Sequence, residues 1–97
     1  MTEPLHDISL KRRVALKAIL KALPGQDSST GRQRILMAIQ SLGHCTTFEA
    51  SRLLDVYDPR ARKMELVRAG HPILTSWRHV RTEAGFKHRI GVYSLAK

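Results

Sequence analysis

A turn of only three residues, 55–57, separates two short helical segments, and this spacing constrains the fold more than any other feature of the sequence. The first segment covers residues 46–54. The second begins with Asp58 as N-cap and Pro59 as the first helical residue, where a proline loses no hydrogen bond, and Gly70 ends it. Two short helices joined by so tight a turn form a helix-turn-helix unit.

The sequence TTFE fixes the start of the first of these helices. Glu49 follows Thr46 at the spacing of a capping box, in which the threonine hydroxyl accepts the Glu49 N–H and the carboxylate accepts the Thr46 N–H. Capping is therefore the expected role of Thr46, whereas Thr47 could serve either capping or ligand binding.

Two further helices are predicted upstream. Residues 8–23 have one apolar face and a cationic stripe on the other side, with Asp7 or Ser9 as the N-cap. Residues 32–42 form the next helix, which Gly43 ends. The chain is thus divided into an N-terminal tail with a basic amphipathic helix for packing or dimerisation, a polar linker, and a larger domain, at residues 1–25, 26–31 and 32–97.

After Gly70 the apolar residues alternate, as in strands. Residues 71–80 and 88–95 predict a β-hairpin whose loop contains Gly85. Trp77 and Tyr93, one on each strand, are expected to pack over the helices, with stacking on single-stranded nucleic acid as the alternative. The predicted fold is mostly α with a C-terminal β-hairpin: a winged helix-turn-helix with an extra N-terminal helix.

Charge indicates the kind of partner. The 97 residues carry 17 Lys and Arg against 8 Asp and Glu, a net charge of +9, which is typical of a nucleic-acid-binding domain. Cys45 is the single cysteine, which fits a reducing compartment. The sequence shows neither a secretory signal pattern nor an apolar run long enough for a membrane span, so we expect a cytoplasmic, nucleoid-associated protein that does not bind membranes.

Catalysis and metal binding are not expected. Among the five histidines and the single cysteine, His44-Cys45 is the one adjacent pair, and no second pair stands at zinc-ligand spacing. Acids are few, and the sequence lacks a glycine-rich loop for phosphates. We therefore predict a non-enzyme without cofactor, metal or evident small-molecule ligand.

From residue 32 to 95 the sequence resembles the small helix-turn-helix proteins of bacteriophages and prophages. The matching positions are Gln33-Arg34, Thr46-Thr47, Glu49-Ala50, Pro59, Ala61-Arg62, Glu65-Leu66, Gly70-His71, Ile73 and Tyr93. The resemblance implies a winged-helix fold that binds DNA. Two positions depart from the family pattern: Lys63 replaces an apolar residue, and Asp55 replaces the usual glycine of the turn.

In such a fold, helix 58–69 would enter the major groove of DNA. Helical spacing turns Leu66 and Val67 toward the core and leaves the opposite side free for bases. Arginine pairs with guanine, and small or apolar side chains contact thymine methyl groups. The candidate base-reading residues are Arg60, Ala61, Met64 and Arg68.

Other cations and hydroxyls are candidates for the DNA backbone. Four cations gather around the hairpin loop with a single acid, Glu83, so the wing is expected on phosphates or in the minor groove. For Arg62 the alternative is an ion pair with Glu65, three residues away. The full candidate set is Arg62, Lys63, Thr46, Thr47, Arg78, Arg81, Lys87 and Arg89, with Arg32 and Arg34 as weaker candidates.

The sequence therefore predicts a sequence-specific binder of double-stranded DNA that acts as a transcriptional regulator of the phage or prophage type. If the N-terminal helix serves dimerisation and not packing, the homodimer would read two half-sites. Two alternatives stay open: an architectural factor for excision or replication, and a winged-helix module that binds an acidic protein.

Overall fold

The computed structural model describes residues 8–81 and 84–96. The predicted N-terminal tail, Asp7 as a possible cap, and Glu83 of the wing lie outside these residues. The described chain is helical in its first two thirds and ends in a β-hairpin, which confirms the predicted fold class. Its elements are α1 (Leu10–Ala22), α2 (Ser28–Leu42), β1 (Cys45–Thr46), α3 (Thr47–Arg52), α4 (Pro59–Arg68), β2 (Ile73–Arg81) and β3 (Lys87–Leu95).

The first two helices differ from prediction mainly at their starts. Ser9 is the N-cap of α1, and its side-chain oxygen accepts the Arg12 N–H at 3.1 Å. α2 begins at Ser28, four residues before the predicted start, with Asp27 as N-cap. Residues 28–31 are therefore helical, and the linker predicted at 26–31 is wrong for them. The composition of this segment is polar and turn-forming and so predicted a linker, but tertiary packing stabilises it as a helix.

The sheet has a strand that the sequence did not predict. β1 pairs with β3 antiparallel, with Cys45 opposite Tyr93, so the strand order is β1-β3-β2. Two residues are too few for an alternating pattern, and the capping box that follows dominates the local sequence. This short strand ties the start of α3 to the base of the wing.

One core joins all the helices to the sheet. Leu16 and Ile19 of α1 lie in it beside Ile35 and Ile39 of α2, and Tyr93 closes it from the sheet. Fully burying aliphatic side chains such as these contributes roughly 1.5–3 kcal/mol each. α1 is therefore packed into the same core as the helix-turn-helix.

Aspartates make the tight turn before α4. Asp55 and Asp58 both take left-handed backbone conformations, with φ of 52° and 55°, which aspartate tolerates better than most residues. The Asp58 carboxylate accepts the Ala61 N–H at 3.3 Å, and Pro59 is the first helical residue. The predicted start of α4 is confirmed, and the replacement of glycine by Asp55 preserves the turn.

Gly31 lets α2 and α4 approach closely. A Cβ at this position would lie 3.3 Å from Val56 Cγ1 and 3.5 Å from Arg62 Cδ. On α4, Leu66 is buried as predicted, but Val67 is 40% exposed. The inward prediction for Val67 is wrong, because the buried side of α4 is centred between Arg62 and Leu66.

Candidate nucleic-acid interface

α4 presents a stripe of long side chains to solvent. Arg60, Met64 and Arg68 are all exposed. They stand four residues apart, so successive members are separated by about 6 Å along the helix axis. Ala61 is partly exposed beside them. The predicted base-reading residues therefore share one outward face, which is the arrangement that contact with successive base pairs needs.

An open groove of about 620 Å³ lies between α4, the start of α3 and the β2–β3 hairpin. We call it the α4–wing groove. The described residues that line it include three cations, Arg60, Lys63 and Arg89, and one acid, Asp58. Thr47 and Ser51 add hydroxyl groups at its α3 side. A groove with this lining favours an anion next to the outward face of α4.

Trp77 lies in this groove, and its predicted packing over the helices is wrong. Its side chain is 56% exposed, whereas Tyr93 is buried as expected. The Arg89 guanidinium carbon lies 4.3 Å from the centroid of the Trp77 ring. Period-two patterning gave the correct face of the strand, but the side chain lies at the open groove between α4 and the hairpin, where no helix covers it.

Lys63 points into the same groove. Lys63 is partly buried on α4, and its Nζ lies 6.0 Å from the centroid of the Tyr93 ring. The aliphatic stem thus fills the place that an apolar side chain takes in similar sequences, while the ammonium remains at the groove. This geometry explains how lysine is accommodated on this side of α4.

The register of the hairpin separates the predicted wing cations. Arg81 pairs with Lys87, and Arg89 stands opposite His79, two positions from Trp77 on the same face. Arg81 also donates a hydrogen bond to the Gly85 carbonyl in the loop. These three cations share the face of the α4–wing groove.

Arg78 belongs to the opposite face. It stands across from Ile90 and lines a smaller cavity, of about 230 Å³, together with Arg12 and His44. Of the four cations predicted around the hairpin loop, Arg78 therefore lies on the other face from Arg81, Lys87 and Arg89, because side chains alternate along a strand.

Arg62 is paired within the fold. Its Nε and Nη2 donate to the two carboxylate oxygens of Glu65 at 2.7 and 2.9 Å, and Arg32 donates to the same carboxylate at 2.9 Å. These hydrogen bonds, first from Arg62 and then from Arg32, hold the pKa of Glu65 below its usual value. The geometry favours the ion-pair interpretation of Arg62 over contact with DNA.

Arg34 is a structural residue and not a phosphate contact. It is 3% exposed. Its guanidinium donates to the carbonyls of Leu23, Gly25 and Leu54 at 2.9, 2.6 and 3.1 Å. One side chain thereby connects the end of α1 with the turn after α3, a role that depends on long-range contacts and left no local sequence signal.

The two threonines have different roles. Thr46 is 2% exposed and forms the predicted capping box, with Glu49 N to Thr46 Oγ1 at 2.9 Å and Thr46 N to Glu49 Oε1 at 3.0 Å. Its hydroxyl is therefore enclosed and unavailable to a phosphate. Thr47 lines the groove, where its Oγ1 accepts the Gly91 N–H at 3.2 Å.

Sequence reasoning missed an ion pair across the fold. Arg12 of α1 donates to both carboxylate oxygens of Glu49, at 2.6 and 3.1 Å, and to the His44 carbonyl at 2.7 Å. Burial tends to raise the pKa of Glu49, but hydrogen bonds from Arg12 and from the Thr46 N–H outweigh it and lower the pKa. This cluster ties α1 to the start of α3.

The described residues offer little for other chemistry. Among residues 8–81 and 84–96, no three His, Cys, Asp or Glu side chains are grouped as metal ligands. Burial raises the pKa of Cys45 to about 12, which keeps the thiol protonated. None of the helices in the described ranges combines the length and apolarity needed to cross a membrane.

Comparison with known proteins identifies one family. The sequence pattern of the winged helix-turn-helix domain matches residues 30–97. Comparisons with curated proteins and with solved structures gave no match. The matched range begins within α2 and includes both helices of the helix-turn-helix and the whole hairpin.

Proposed function

Because the chain belongs to the winged helix-turn-helix domain family, a DNA-binding fold, we propose that it is a sequence-specific double-stranded DNA-binding protein that acts as a transcriptional regulator of the phage or prophage type. The observation that carries this proposal is the convergence of Lys63 and Arg89 on a groove that Arg60 and Met64, of the outward stripe of α4, also line. The net charge of +9 supports the same kind of partner.

The proposed complex has α4 in the major groove. Arg60 and Arg68 pair with base edges, while Ala61 and Met64 contact thymine methyl groups. The strand that borders the major groove then crosses the α4–wing groove, and the wing reaches the far side of that strand. In this arrangement α4 reads the base sequence, and the α4–wing groove positions the protein on the DNA backbone.

Phosphates of the crossing strand are the proposed ligands of the groove. Lys63 and Arg89 supply the charge, and Thr47 supplies a hydroxyl. Arg81 and Lys87, opposite each other at the end of the hairpin, extend this basic surface along the backbone. Arg78, Arg62 and Thr46 are left out of the proposed DNA contacts, since each faces another part of the fold or is enclosed.

Homodimerisation is a further part of the proposal. Leu10 and Val14, four residues apart on α1, are 71% and 61% exposed, and a second copy could cover them. Two copies would read two half-sites on a cytoplasmic, nucleoid-associated DNA target. A monomer in sedimentation equilibrium, both free and with DNA present, would count against this part.

The salt dependence of DNA binding tests the groove assignment. Replacing Lys63 or Arg89 by glutamine removes one phosphate contact, so the slope of log K against log salt should become shallower by about 0.9 for each. The measurement is fluorescence anisotropy on a labelled duplex at several salt concentrations.

Two matched variants serve as controls. Arg62→Gln removes a cation on the other side of α4, and Lys17→Gln removes an exposed cation of α1. Both should leave the slope at its wild-type value. Equal changes in slope for all four variants would show that binding follows total charge and not the groove.

A further inference from the structure

We propose that the α4–wing groove receives one unpaired nucleobase of the bound DNA, stacked against the Trp77–Arg89 pair. The inference rests on the proposed function, because α4 must first place a DNA strand across the groove. It goes beyond that function because it predicts which DNA the protein prefers: a duplex whose crossing strand carries an unpaired nucleotide, over a fully paired duplex.

The first observation is the exposed indole. Trp77 is 56% exposed inside a groove that the fold builds from three elements, and not on an isolated surface. Its partner in the register is Gly91, which presents no side chain. A Cβ at Gly91 would lie 3.1 Å from Thr47 Cγ2 and 3.7 Å from Trp77 Cζ3, so a larger residue would crowd the groove floor beside the ring.

The second observation is the stacked cation. The Arg89 guanidinium carbon lies over the Trp77 ring, 4.3 Å from its centroid, so the guanidinium covers one face of the indole and offers a second planar group for stacking. Bases stack on indole rings and on guanidinium planes alike, largely independent of sequence. At about 620 Å³ the groove is also large enough for a nucleotide, since small-ligand sites begin at about 300 Å³.

A polar group stands close to the ring. Thr75 Oγ1 is buried without a hydrogen-bond partner, and Thr75 lies two residues from Trp77 on the same face of the hairpin. This hydroxyl is enclosed beneath the groove surface, so the exposed Trp77 ring, which a phosphate backbone does not need, is the feature that favours a base. The groove therefore has the chemistry of a base site in addition to that of a backbone site.

An intact duplex leaves this site without a base, because its bases are paired and stacked. Turning a base outward costs little free energy in a bulged or gapped strand, because that base is already unpaired. The complex therefore retains almost all of the stacking energy. We expect wild-type protein to bind a duplex with one unpaired adenine about tenfold more tightly than the fully paired duplex, the size of effect that stacking one base produces.

The experiment compares these two DNAs with wild type and three variants. For the fluorescence measurement the unpaired adenine is replaced by its analogue 2-aminopurine, whose fluorescence falls when it stacks. Trp77→Ala should abolish both the affinity ratio and the fluorescence change, while Trp77→Phe should retain most of each. Phe86→Ala, which removes another exposed aromatic residue of the wing outside the groove, should keep the wild-type ratio.

The outcomes separate this inference from the proposed function. Equal affinity of wild type for both DNAs, or an unchanged ratio in Trp77→Ala, would overturn the base site and leave duplex binding intact. Failure to bind either DNA would overturn the proposed function itself. A thermal melt of Trp77→Ala confirms that a lost ratio does not come from unfolding.

Discussion

Replacing Arg34 by alanine is expected to destabilise the protein by roughly 3 kcal/mol or more, a large part of the stability of a domain this size. The guanidinium is 3% exposed and donates to three carbonyls. Its removal leaves these acceptors without their donor and opens a space between the end of α1 and the turn after α3. Urea unfolding followed by circular dichroism measures the change.

Arg34→Lys sharpens the test. Lysine keeps the charge but cannot direct a planar fork at three carbonyls, so it should recover little of the lost stability. Gln33→Ala, at the neighbouring exposed position of α2, should stay within about 0.5 kcal/mol of wild type. A free energy of unfolding for Arg34→Ala within 1 kcal/mol of wild type would contradict the structural role of Arg34.

Replacing both Arg60 and Arg68 by alanine is expected to remove sequence preference while leaving the fold intact. Both side chains are exposed on α4, so their loss creates no buried defect. A good bidentate contact discriminates against a wrong base by about 1–3 kcal/mol, which is roughly 5-fold to 150-fold in affinity. The double variant should therefore bind its preferred and scrambled duplexes almost equally.

A charge-matched control separates base reading from general attraction. Lys17→Ala with Lys21→Ala removes the same two charges from exposed positions of α1. This pair should weaken binding to both duplexes slightly and keep the ratio between them. If it lowers the ratio as far as the arginine pair does, α4 is not the element that reads sequence.

The local features of the sequence predicted most of the fold. The capping box at Thr46, the Asp58-Pro59 start of α4 and the alternating pattern of the hairpin all depend on neighbours within a few residues. The start of α2 was missed because it does not depend on near neighbours alone. Residues 28–31 have a turn-like composition, and their helical structure depends on tertiary packing.

Long-range contacts decided which candidate residues face the groove. Arg34, Arg62 and Lys63 are all cations in helices, yet the fold buries the first, pairs the second and directs the third at the groove. The spacing of residues along one helix does not predict which side chains of the neighbouring elements they will contact. Trp77 shows the same limit in a strand, since alternation gives its face but not whether a helix covers it.

The most direct test of the account is selection of duplex DNA from a random pool by the wild-type protein. We predict enrichment of a defined sequence, and binding to it that weakens steeply with salt, with a slope that corresponds to about four phosphates, from Lys63, Arg81, Lys87 and Arg89. Recovery of no preferred sequence, together with equally weak binding to every duplex at low salt, would contradict the claim that α4 and the groove read and hold DNA.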